Sequence, residues 1–381
     1  MNKTLLVALI VSFSVFAAAA ASNDFQQGKP DIRSMSSLAF GPEGILFVGD
    51  SIGAAVFAIQ LGDKTPNSSQ EPLDIQDLEG KIAALLGTRK ADILIHDMAV
   101  NPVSQNVYLA VSRGRGKWIE RWQLPNDFSK ATILLRVSPS QQISEVRLNS
   151  VHFARARLPN PISQDKMHPW KEGTRLRVDT ITDLAYSEGR LFVAGLSNEE
   201  FASTMWQIPY PFQDSAVAST LEIYHGAHGG YETHAPIRTF LPFTLKGETH
   251  LLASYLCTPL VTFPVSGLED GRHVRGRTLA ELGFGNYPLD MLSYRKEGKD
   301  YILIANTSLP FIILDPHKLE QFQGSITEPV DPAEYTAGVE FTPRSGSGIQ
   351  QMDTLNSKYL LTLQRMPSGA LNLKSYQLER F

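Results

Sequence analysis

The chain has 381 residues, 43% of them hydrophobic and 19% charged, with 28 glycines and 23 prolines. It is too apolar and too weakly charged for a disordered chain, and too interrupted by glycine and proline for a coiled coil. A formal net charge of −4 argues against nucleic acid as the main partner, because phosphate binding needs a basic face.

Lys3, an apolar run over residues 5–16 and the small residues 17–21 predict a signal peptide over residues 1–21. Residues 22–381 then form a single domain in the periplasm or outside the cell. The apolar run is shorter than the ~20 residues a membrane span needs, and no later stretch reaches that length without charges. The mature chain is therefore expected to hold no transmembrane segment. Cys257 is the sole cysteine, so no internal disulfide is possible and the fold must rest on a large core. Cys257 itself reads as a small buried hydrophobe.

Self-similarity organises the rest. Copies of one pattern start at MSSLAFGPEGILFVGD (35–50) and HDMAVNPVSQNVYLAVSRG (96–114). A third starts at TDLAYSEGRLFVAGLS (182–197), and fainter ones run over 238–265, 289–315 and 351–378. Each has a short apolar strand, a tight turn, a more apolar strand, a polar turn and an alternating third strand. Residues 77–86 are the one stretch that reads as helical. The anchors Leu38, Met98, Leu184, Phe240, Met291 and Met352 are 60, 86, 56, 51 and 61 residues apart. That spacing predicts an all-β, six-bladed β-propeller. A seventh blade could hide in the 86-residue interval, which otherwise carries a loop insertion at 150–177. The last copy has three strands, and the mature N-terminus around residues 30–34 is expected to supply its fourth and close the ring.

The segment LAFGPEGILFVGDS (38–51), and more loosely MAVNPVSQNVYLAVSRG (98–114), resembles the repeat of the NHL and SMP-30/gluconolactonase-like propellers. The resemblance covers two or three repeats. It implies a six-bladed ring that serves either as a binding scaffold or as a hydrolase with a divalent cation in its channel. The Asn-Gly pair and Ser-x-Asp of the SMP-30 enzymes are absent, with Asp183 where the pair would fall, so no catalytic residue is carried over.

Strand alternation places the connections that enter inner strands on the same face as the turns that leave second strands. Functional residues gather on such a loop-bearing face. The ligand-binding candidates there are Arg33, His96, Asp97, Asp183, Arg238, Tyr287 and Asp290. Three of them are carboxylates at equivalent places, which repel unless a cation or arginine lies among them; alternatively each caps the turn into its strand. The loop YHGAHGGYETH (224–234) presents His225, His228 and His234 among glycines and is the candidate metal site. One divalent metal ion is the cofactor these residues admit. The insertion combines arginines with His168 and Trp170, which suits a lid or an anion contact. The expected function is an exported propeller that binds a protein or small molecule on its funnel face. The alternative is a metal-dependent hydrolase or lyase with a His/Asp site in the channel. The sequence does not decide whether the protein is an enzyme.

Overall fold

The computed structural model describes residues 25–113, 132–213, 216–309, 311–331, 334 and 336–381. The expected signal peptide lies outside the described residues. Six sheets, antiparallel but for His273–Arg275 added parallel to Val217–His225, stand in a ring as the blades of a β-propeller. Numbered I to VI in chain order, their inner strands are Ser37–Phe40, Ile93–Val100, Asp183–Ser187, Ile237–Leu245, Pro288–Lys296 and Ile349–Thr354.

The ring order is not the chain order. Inner-strand neighbours run II, I, III, IV, V, VI and back to II. Six apolar clusters fill the six junctions in that same order. Phe47, Val56, Leu184 and Trp206 join I to III. Leu38, Phe57, Tyr108 and Leu134 join I to II. Met98, Leu109, Leu361 and Leu373 join II to VI. Each blade is wet at its ends and dry on both faces, which is why the second strands read as unbroken apolar runs.

Blade II is threaded between I and VI by two exchanges. After the third strand of blade I (Ala55–Gln60), the chain crosses to blade VI. There Ile75 pairs with Leu373 at the outer edge of the third strand, Leu371–Gln377. The chain then builds blade II and returns, so that Val151–Arg157 becomes the fourth strand of blade I beside Ala55–Gln60. Gln26–Gly28 adds outside it.

Two expectations are corrected. Closure does not come from residues 30–34. Pro30 has no N–H, and the N–H groups of Arg33 and Ser34 are both taken by the Asp50 carboxylate at 2.9 Å. Leu73 and Ile75 fill the place instead, because their side chains complete the II–VI core. Residues 151–157 are a sheet strand, not part of an insertion. Together with Ile143–Glu145, the fourth strand of blade II, they account for the strands of the long interval without a seventh blade.

The local signals hold well. The helix runs Leu78–Leu86, capped by Asp77, whose side chain accepts from Gly80 N, and ended by left-handed Gly87. Two-residue turns Glu188-Gly189, Lys246-Gly247 and Glu297-Gly298 have positive φ at both positions. This is the hairpin turn that matches strand twist, and it explains the glycine after each charged residue.

Candidate functional site

Each inner strand carries a one-residue bulge near its start. The register shifts between Ile95 and Asp97, Ile237 and Thr239, Pro288 and Asp290, and Ile349 and Gln351. In blades I and III, Ser36 and Thr182 bond the carbonyls of Gly49 and Ala194, which already face Ser37 and Asp183. The bulge aims the next residue at the central shaft. In ring order these residues are Asp97, Ser37, Asp183, Thr239, Asp290 and Gln351, so acid and neutral alternate around the axis.

Each aspartate staples one blade to the next. Asp97 accepts Met98 N at 2.8 Å and, across the junction, Leu38 N at 2.6 Å. Asp183 accepts Leu184 N at 2.8 Å and Phe240 N at 2.9 Å. Asp290 accepts Met291 N at 2.7 Å and Met352 N at 2.6 Å. The ring is thus three clamped pairs, II–I, III–IV and V–VI. Asp353, two residues beyond Gln351 on its strand, ties VI to II through Val100 N at 2.7 Å.

The shaft is narrow enough for these carboxyls to be surrounded by protein, yet a water-sized sphere still touches them. Burial pushes the Asp183 carboxyl up to about 6 against the pull of two N–H bonds. It pushes Asp290 up to about 8, with the nearby charges of Asp183 and Asp353 adding to it. Asp97 is driven well up by burial and by Asp290 and Asp183. Within this layer the neutral residues separate the carboxyls of alternate blades; Asp353, lower in blade VI, is the exception.

The connections that carry the other sequence candidates open on the same end of the ring. His96 and Arg238 are bulge residues just above Asp97 and Thr239, and His96 Nε2 lies 2.6 Å from Ser112 Oγ. The charge of Arg238 acts on Asp183. Tyr287, 44% exposed, stands on the connection into blade V. Arg33 sits on the connection into blade I beside Asp50.

Of nine exposed large apolar side chains among the described residues, seven belong to this end: Leu94, Met167, Trp170, Val178, Leu256, Phe284 and Tyr287. Trp170, 77% exposed, is held out by an ordered loop rather than a free one. His168 beneath it is buried, and its Nδ1 accepts from both Trp170 N and Lys171 N at 3.1 Å. Arg177 is buried as well, bonding the carbonyls of Ile52 and Ile162 to strap the loop to blade I. An arginine expected to greet an anion is used internally.

The histidine loop forms a hairpin, Val217–His225 with Gly230–Glu232, at the outer edge of blade III. It brings His225 and His228 together, with ring centroids 3.9 Å apart. Their Nδ1 atoms share Glu232 Oε1 at 2.8 and 2.6 Å. His234 is not part of the group; its ring bonds Thr233 Oγ1 at 2.9 Å. The third member is Cys257, from the turn between the second and third strands of blade IV. Ligand atoms of His225, His228 and Cys257 all lie within 4.8 Å of one another, the one such group among the described residues. Cys257 is half-buried at a turn, not the core residue its composition suggested.

Behind it, buried Glu281 accepts Gly226 N at 2.7 Å and the Thr258 hydroxyl, and Thr258 Oγ1 is 3.2 Å from His225 Nε2. Burial disfavours charge on His225, but Cys257, Glu232 and Glu281 outweigh it and raise the imidazole to about 10. Glu232, raised by burial, is brought below its ordinary value by the two histidines. Sequence offered no sign of Cys257, Glu232 or Glu281 in this cluster, apart from Cys257 being the only cysteine.

No family model and no curated protein sequence matches the chain. Solved structures resemble it only in outline. A chain of a mitotic checkpoint complex crystal structure has 8% identity and a TM-score of 0.33, covering 99% of both chains. Extracellular domains 1–2 of Drosophila semaphorin 1b show 10% identity and a TM-score of 0.40, over 92% of this chain and 86% of that one. YCF48 from Cyanidioschyzon merolae shows 10% and 0.34, over 93% and 99%.

Proposed function

We propose that the protein is an exported binding propeller of the NHL/SMP-30-like type, and that it docks a protein partner on the end of the ring where inner strands begin. The observation that carries this reading is the crowding of exposed apolar side chains at that end, above all Trp170 on its pinned loop. An exposed tryptophan with its loop already ordered costs little entropy to bind, and such aromatic anchors dominate interface energies. The opposite end carries short charged turns around Glu188, Lys246 and Glu297. The two larger clefts lie along the flanks, one by Arg155, Arg157 and Phe212 and the other by Tyr294, Lys318 and Phe381, away from the shaft mouth. A hydrolase in the channel would need histidine and carboxylate to converge there. The described ligand group lies at the rim between blades III and IV instead.

The test is native cross-linking and affinity capture from the source extract. Trp170→Asp with Phe284→Asp is expected to reduce the captured partner about thirtyfold, the equivalent of roughly 2 kcal/mol. Lys246→Glu with Glu297→Lys on the opposite end should leave it unchanged. The reverse pattern would sink the proposal.

A further inference from the structure

We infer that His225, His228 and Cys257 form a zinc site between blades III and IV, with Glu232 orienting both imidazoles. The Glu232 carboxylate is an acceptor only, so both Nδ1 atoms must donate to it. That leaves Nε2 on each ring as the ligand atom; on His225 it lies 3.2 Å from Thr258 Oγ1, a contact that zinc would replace. A carboxylate behind a histidine in this manner fixes tautomer and ring direction, and it accompanies imidazole ligands in metal centres.

The third ligand comes from the neighbouring blade. The Cys257 sulfur interacts with the His225 ring, and its thiolate is a soft donor suited to zinc. Ligand atoms within 4.8 Å of one another need to close to about 3.5 Å around a tetrahedral ion with bonds of about 2.0–2.3 Å. The exposed His228 ring can supply that movement. Glu281 is already engaged with Gly226 and Thr258 and acts as a support behind the site, not as a ligand. Three protein ligands leave a tetrahedral ion a fourth position to fill. A cleft lined by Ala227, Thr258, Glu281, Phe284 and Val330 adjoins it, so a water or a small donor ligand fits there. Trp170 and the shaft take no part in the site, but Phe284 of the docking reading lines the cleft beside it, so Zn²⁺ binding is measured directly and separately from partner capture.

The probe is Zn²⁺ titrated calorimetrically into the chain purified under reductant, with Co²⁺ as the spectroscopic stand-in. One equivalent of Zn²⁺ is expected to bind, and Co²⁺ to give a thiolate-to-metal charge-transfer band. Cys257→Ser should abolish the band, and His228→Ala, at an exposed position that does not endanger folding, should weaken binding more than 100-fold. Glu232→Gln should weaken it about 10–100-fold as a positioning residue. His234→Ala should change nothing. No binding by the wild-type chain, or a band that persists in Cys257→Ser, overturns the assignment. So would equal loss in His234→Ala, which would point to the loop histidines alone.

Discussion

Raising the pH from 4.5 to 6.5 lowers the stability contributed by the shaft, and Asp290→Asn removes part of that loss. The sign follows from the direction of the shifts. Asp183, Asp290 and Asp353 have native carboxyls above the ordinary 3.8, at about 6, 8 and 6. Between those limits the native ring holds protons that the unfolded chain has released. Their contribution is complete below the unfolded value and disappears as pH rises through the native one. Each carboxyl contributes a slope of about 1.4 kcal/mol per pH unit within its window. Buried His168 and half-buried His250 are depressed by burial and act with the opposite sign below 6.5. Raised His225 loses its contribution only from 6.5 upward. The quantity to measure is therefore the difference between wild type and Asp290→Asn in thermal midpoints across pH 4.5–6.5. The expected wild-type curve falls more steeply by about one proton. Parallel curves would show that the shaft is not the source.

The second large effect is expected at Asp63, where the crossing segment leaves blade I. Its carboxylate accepts Ser104 Oγ at 2.6 Å, Tyr108 Oη at 2.8 Å, and the amides of Asn101 at 3.0 Å and Asn106 at 2.9 Å. Burial works to raise the group, but these four donors outweigh it and hold it below 3.8. Asp63→Ala strips four polar groups of their acceptor, the buried Tyr108 hydroxyl among them. The cost is about 3 kcal/mol at pH 7, read as a lower urea midpoint. Asp63→Asn keeps one acceptor and should lose about half as much. A depressed carboxyl contributes above its unfolded value and loses that contribution as pH falls through the native one. The gap between wild type and Asp63→Ala should thus narrow below pH 4. Equal midpoints at pH 7 would refute this role of Asp63.

What could be read in the letters was whatever local chemistry encodes. Strand and turn patterns gave the blades, the helical stretch fell over residues 77–86, and glycine after Glu188, Lys246 and Glu297 marked the turns. Asp97, Asp183 and Asp290 stood out because the repeat puts them at equivalent places, but their bonds to an N–H of the neighbouring blade were not legible, since that partner lies far off in the chain. The blade order was not legible. A strand such as Val151–Arg157 looks the same whether it completes its own blade or an earlier one, since pairing partners leave no local mark. The rim cluster was half legible for the same reason. His225 and His228 lie in one loop, but Cys257 reaches them only across a blade junction.

The exchange of strands between blades I, II and VI has a bearing on synthesis. Emerging from a ribosome N-terminus first, Leu73 and Ile75 have no permanent place until Leu373 follows, some 300 residues later. The first blade likewise waits for residue 157 to cover its flank. Such a product cannot mature blade by blade in the order of translation. Its earliest segments stay provisional until the final strand arrives, so a nascent chain truncated before residue 371 should be a protease substrate along its whole length rather than a shorter stable ring.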